Sequence, residues 1–144
     1  MNKFIIGSEN GLIYIYDPKN NTNSSLKLNT SAKLKRIKAY DANHLLVITE
    51  DDGFFLTDGY QGEGIHYSTS NQLVSNQVYS LYDDDNQKHI WVAYKNTAII
   101  TRIDPFGTYR KHYQLKTQEY NNSQRYISPV SYTHLRAHET DSYL

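Results

Sequence analysis

The chain has 144 residues, no Cys, and 15 basic against 15 acidic side chains. That size suits one ordinary domain, and the missing thiols exclude a disulfide scaffold, a thiolate zinc site and a cysteine nucleophile. Zero net charge argues against a nucleic-acid binder held by a basic face, and no apolar run approaches the roughly 18 residues of a membrane span.

The 14 Tyr lean the composition towards pleated, half-buried strands. The first residues turn polar after Phe4-Ile5-Ile6, so they read as a strand and not as a signal peptide. Phe4 to Leu12 is a strand, a turn at Gly7-Ser8-Glu9-Asn10-Gly11, and the start of a second strand. Leu46 to Phe54 has the same form, with Gly53 standing 42 residues beyond Gly11. Ile90 to Ala98 comes third, with Trp91 standing 44 beyond Val47. Each copy carries an apolar triplet, a small residue (Gly7, Thr49, Ala93), a polar turn, and apolar residues again.

The flanks keep the step. Leu34-Lys35-Arg36-Ile37 precedes the second copy and Val78-Tyr79-Ser80-Leu81 the third, while Ile65-His66-Tyr67 matches Lys111-His112-Tyr113. Each full unit therefore holds four short strands, placed in the third copy at about residues 77–82, 89–94, 98–103 and 110–115. A four-stranded unit recurring every ~40–45 residues is the signature of a propeller blade. The expected fold is all-β: an incomplete β-propeller fragment of about three four-stranded blades. Residues 1–128 form the partial propeller, with copies at about 2–31, 32–72 and 73–119 and the start of a further blade at about 120–128. The first copy opens at its second strand. Closed propellers take 4–8 blades, so the chain reads as a piece of a larger ring.

Leu73 to Asp84 followed by Ile90-Trp91-Val92 resembles the two-component regulator propeller repeat, and Phe4 to Leu12 matches its second half, with Ile5 in the Trp place and Gly7, Ser8, Gly11 and Leu12 in order. The third copy departs at Ala93, Tyr94 and Thr97, and the second keeps only Gly53. The repeat positions this marks are Ile5, Gly7, Gly11, Val47, Gly53, Trp91 and Ala93. The resemblance implies the extracytoplasmic, periplasmic sensor half of a hybrid histidine kinase, concerned with polysaccharide use and taking an oligosaccharide ligand. It further implies a homodimeric parent that meets the membrane only through parts downstream, and no enzyme activity, cofactor or nucleic-acid contact in this piece. The alternative is a piece of a secreted propeller lectin or polysaccharide-active enzyme.

From Pro129 onward the text changes character. Val130 to Thr140 resembles a translated sequencing-library adapter, so 129–144 reads as an artefactual tail and not a domain. The tail holds the most tempting metal pattern, His134 and His138 one helical turn apart beside Glu139, but the order is not His-Glu-x-x-His and a third ligand is missing. No metal site is expected there.

Asp83-Asp84-Asp85-Asn86 suggests calcium only at first sight. An EF-hand loop needs Gly and Glu where Lys88 and Tyr94 stand, and a polar hairpin turn explains the cluster. Gly7-Ser8-Glu9-Asn10-Gly11 lacks the Gly-x-Ser-x-Gly order of a nucleophile elbow, so no catalytic residue is expected. Lys33, Lys35, Arg36 and Lys38 alternate imperfectly with Leu34 and Ile37 and read as a solvated face. Aromatic faces stack on sugar rings, and Tyr60, in the Gly-rich loop Asp58 to Gly64, is the loop-borne candidate for ligand binding; packing on its own loop is the plainer role. Trp91, inside a strand, is expected in the core.

Overall fold

The computed structural model describes residues 3–84, 88–105 and 110–115. Within them lie β1 (Phe4–Gly7), β2 (Leu12–Asp17), β3 (Thr22–Lys27), β4 (Leu34–Ala39), β5 (Leu45–Thr49), β6 (Phe54–Asp58), β7 (Gly62–Tyr67), β8 (Val78–Asp83), β9 (Ile90–Tyr94), β10 (Ile99–Ile103) and β11 (Arg110–Gln114), with a short 3-10 turn at Glu9–Gly11. They make three antiparallel sheets: β1-β2-β3, β4-β5-β6-β7 and β11-β10-β9-β8. The molecule is all-β and propeller-like, as the pattern predicts. The expected further blade at 120–128, the tail at 129–144, and the turn residues Asp85, Asn86, Phe106 and Gly107 lie outside the described residues.

The described residues fall into two compact units, divided between Ser68 and Thr69. The first holds the first two sheets and the second holds the third sheet. In β2 strict alternation puts Ile13 and Ile15 inside and leaves Tyr14 and Tyr16 outside, as a period-two strand with one covered face requires. In the first unit, Ile13, Ile15, Leu26 and Leu28 of the first sheet pack on Leu45, Val47 and Phe55 of the second. Thr30, just beyond β3, ties the two sheets by donating its hydroxyl to Asp52 at 2.5 Å.

Hydrogen bonding sets the phase between the first two sheets. The Ser8 amide and Oγ both donate to the Leu12 carbonyl, at 2.9 and 2.8 Å. Thr49 does the same to Gly53, at 3.1 and 2.8 Å. The structural step is therefore Ser8 to Thr49, one residue short of the spacing between Gly11 and Gly53. Asn10 and Asp51 share the next special position, with φ 64° and 66°, a left-handed conformation that Asn and Asp tolerate.

The second and third sheets agree with this phase: β4 pairs Ile37 with Val47, and β8 pairs Leu81 with Val92. Leu46, and not Val47, is thus the counterpart of Ile5 and Trp91, and Ile48 is the counterpart of Gly7 and Ala93. In an apolar run a one-residue slip costs little compositional match, yet it exchanges the two faces of a strand.

The imperfect alternation in β4 has a specific cause. Its register against β5 shifts between Leu34 and Arg36, so Lys35 is an extra residue bulged out of the ladder. Leu34 and Ile37, three apart, then share a face. Strand β8 repeats the device between Val78 and Ser80, with Tyr79 bulged and Val78 and Leu81 both buried. The Gly-rich segment expected as a loop from Asp58 to Gly64 is only partly one: β7 already begins at Gly62, and a bulge opposite Thr57 absorbs the extra residue.

Candidate functional site

Within the first unit a cleft runs between β1 and β4. Its wider part, a cavity of about 380 Å³, has an apolar floor of Ile5, Ile37 and Leu45 and a rim that includes Lys3, Lys38, Asp41 and Tyr60. A narrower part of about 230 Å³ continues past Ile5, Gly7, Leu34 and Ile37. An apolar floor with a few polar groups at the rim is the general character of a ligand cleft.

Tyr60 reaches this rim from the turn between β6 and β7. Its ring packs on the core shared by the first two sheets, and Lys3 Nζ lies 4.4 Å from the ring centroid. A cation over the π face adds to the packing and occupies the surface a sugar ring would stack on.

The turn between β4 and β5 supplies the acidic part of the rim. Asp41 accepts from the Asn43 amide at 2.7 Å, and its two oxygens lie 2.8 and 3.0 Å from His44 Nδ1. Burial works to raise the Asp41 carboxyl. The Asn43 amide, then the His44 hydrogen bond and charge, outweigh it and hold the group below its ordinary value of 3.8. The sequence reading missed Lys3, Asp41 and His44. The spacing Asp41-x-Asn43-His44 is a local capping pattern, but nothing in a string tells that Lys3 meets a Tyr 57 residues away.

The remaining marked positions are dispersed. Ile5 is on the cleft floor and Gly7 on its narrow extension. Gly11 and Gly53 lie at the turns after β1 and β5, with φ 74° and 69°. Val47 is fully buried facing the first sheet. Trp91 is buried in the third sheet, its ring 5.6 Å from that of Tyr113, with the Arg102 guanidinium 5.6 Å away. Ala93 is buried on the same strand.

In the second unit a polar chain runs through the buried Tyr94–Thr101 pair to an exposed His112. The Val74 amide donates to Tyr94 Oη at 3.1 Å, Tyr94 Oη is 2.6 Å from Thr101 Oγ1, and Thr101 Oγ1 is 2.9 Å from His112 Nδ1. Burial pushes the Tyr94 phenol up, and burial followed by the charge of Arg110 pushes the His112 imidazole down. Both groups are thereby kept neutral, which suits a chain of hydroxyl donors ending on an accepting ring nitrogen. Among the described residues no cluster of three or more His, Asp or Glu is placed to hold a metal, and no helix is long and apolar enough to cross a membrane. His134, His138 and Glu139 lie outside the described residues.

No protein-family model matches the chain, and no curated protein matches it. Among solved structures it is similar to the extracellular domain of BT4673 from B. thetaiotaomicron, named as part of a hybrid two component system in one crystal structure and of a one component system in another. The likeness covers 85% of this chain at 22% identity and TM-score 0.59 in the first. It covers 84% at 19% identity and TM-score 0.58 in the second. The chain spans 18% and 19% of the length of those chains. At such identities the likeness is one of backbone, and it bears on the fold alone: a propeller-like array of antiparallel sheets.

Proposed function

We propose that the chain is part of the extracytoplasmic, ligand-sensing propeller of a two-component regulator, and that the parent protein answers an oligosaccharide by shifting a receptor dimer and altering kinase output. One observation carries the reading: the backbone likeness to an extracellular domain of a named two component system, over 85% of this chain. The sequence resemblance of Leu73–Val92 to the propeller repeat of such regulators supports it independently. Lys38 and Asp41 on one rim, beside a Tyr60 ring whose face Lys3 covers, form a candidate sugar-contacting edge of charged hydrogen-bonding groups. This piece has a recognition role and no catalytic one.

The uninterrupted reading frame tests the proposal. It is expected to run on into a membrane helix and a histidine-kinase core. A stop codon directly after the last blade, with a secretion signal in front, would assign the chain to a secreted lectin or polysaccharide-active enzyme instead. With the frame in hand, the intact extracytoplasmic region and its Tyr60→Ala variant, titrated with a panel of oligosaccharides, would show whether this rim binds them.

A further inference from the structure

The bulge in β4, an edge strand of its sheet, puts two cations where a regular ladder puts one residue. Leu34 pairs with Thr49 and Arg36 with Ile48, so Lys35 and Arg36 together stand opposite Ile48. Both are exposed. With Lys33 and Lys38 they make four basic side chains in six residues, and no acidic one interrupts them. Acids flank the strand instead: the Glu50 amide donates to the Lys33 carbonyl at 2.9 Å, and Asp41 is held by Asn43 and His44.

The exposure belongs to the bulge. In the third sheet Tyr79 is the bulged residue of β8 and is 40% exposed, although Val78 and Leu81 on the same strand are buried. Each four-stranded sheet therefore turns one extra side chain of its edge strand outward, a cation in one and an aromatic in the other. Bulges re-aim side chains in this way beside functional sites. Alternation alone reads Lys35 and Arg36 as opposite sides of a solvated strand, whereas the bulge makes them neighbours. Two like charges so placed repel, and an anion bound between them removes the repulsion.

We propose that the outer edge of β4 is a contact site for a carboxylated sugar, with a uronate carboxylate received between Lys35 and Arg36. A guanidinium offers a planar carboxylate two parallel N–H donors, and the ammonium beside it adds a point charge. Lys33 and Lys38 extend the positive strip to either side, which suits an oligomer of uronic acid residues. The proposal deepens the sensor reading, from which it takes the sugar; β4 supplies the demand for charge.

Calorimetric titration of the full chain with tetragalacturonate tests it. Binding is expected, weakening as salt rises, while maltotetraose, a neutral sugar of equal length, gives none. Lys35→Gln and Arg36→Gln should each weaken binding by about tenfold, the worth of one charged hydrogen bond, with unfolding midpoints unchanged because both side chains are exposed. Lys35→Arg should retain binding, as should Lys19→Gln on the exposed turn between β2 and β3. No binding of tetragalacturonate overturns the proposal, as does equal binding of maltotetraose or an equal loss in Lys19→Gln. Edge lysines also discourage strand-to-strand association, so Gln variants that self-associate yet bind undiminished would assign the charges to that role and overturn it too. Tighter binding of a sulfated tetrasaccharide would overturn the assignment to uronate. A reading frame without a kinase core would remove the sensor role and leave this site standing, so the two readings fail separately.

Discussion

Thr101 and His112 face each other directly across β10 and β11, and the hydroxyl of Thr101 meets Nδ1 of His112 at 2.9 Å. The counterpart pair in the second sheet, Phe55 and His66, also lies directly across two strands, but there the rings stack at 4.1 Å between centroids. One backbone position thus holds a histidine in two ways, by a hydroxyl in a polar chain and by an aromatic face. Thr101 is fully buried, so it has no water to fall back on. Thr101→Val keeps the shape and removes the hydroxyl, so the buried Tyr94 phenol loses one partner and keeps the Val74 amide. It should cost about 1–3 kcal/mol in urea unfolding.

His112 makes stability depend on pH. Its folded imidazole is held below the ordinary 6.5 by burial and by Arg110, so the unfolded chain takes up the proton first. The contribution is complete above about 6.5 and is lost as pH falls through the lower folded value. Unfolding midpoints measured from about pH 8 down to 5 should fall in the native chain, and the fall should be shallower in His112→Gln.

Asp41 acts in a more acidic window. Its folded carboxyl lies below the ordinary 3.8, so its contribution is present above that value and is lost as pH falls through the folded one. Asp41→Asn should remove this acid-dependent part. It should also loosen the turn between β4 and β5, seen as faster exchange of the Asn43 amide that the carboxylate now accepts from.

Two glycines separate backbone conformation from crowding. Gly53 and Gly59 have nearly the same φ, 69° and 67°. A Cβ on Gly53 would lie 2.0 Å from the Tyr67 carbonyl oxygen, whereas on Gly59 the nearest atom is the Asn43 carbonyl oxygen at 3.7 Å. Gly59→Ala should cost about 1–2 kcal/mol, the left-handed penalty alone. Gly53→Ala should cost clearly more, because the β5–β6 turn must move off β7. Thermal unfolding of the two variants side by side checks the difference.

Phe4 and Leu45 are counterparts in the phase set by hydrogen bonding, yet Phe4 is 61% exposed and Leu45 is 1% exposed. Leu45 lies against the first sheet, while Phe4, Ile6, Tyr14 and Tyr16 form an uncovered apolar face of that sheet. Leu45→Ala should cost about 2–5 kcal/mol. Phe4→Ala should cost under about 1 kcal/mol and should reduce self-association in sedimentation velocity, since uncovered apolar patches drive it.

Much of the fold was legible in the string because its causes are local. Apolar triplets, short polar turns and the placing of Asn10, Asp51 and Gly53 report strand length and backbone conformation directly, and three sheets follow from them. The phase of the second copy was not legible: an apolar run looks the same one residue over, and only paired hydrogen bonds count residues between Ser8 and Thr49. The bulges at Lys35 and Tyr79 were visible only as broken alternation, since nothing in composition distinguishes a bulged residue from a solvated one.

At the candidate site, sequence by itself determined that Tyr60 would stand at a turn beside glycines. Tertiary structure decided that Lys3 covers its ring, that Asp41 joins the rim, and that an apolar cleft floored by Ile5, Ile37 and Leu45 lies beneath. The reason is physical. Turn chemistry acts over a few neighbouring residues, whereas a cleft is a gap between sheets whose walls are contributed from Lys3 to Tyr60, and its form depends on which edges found a partner.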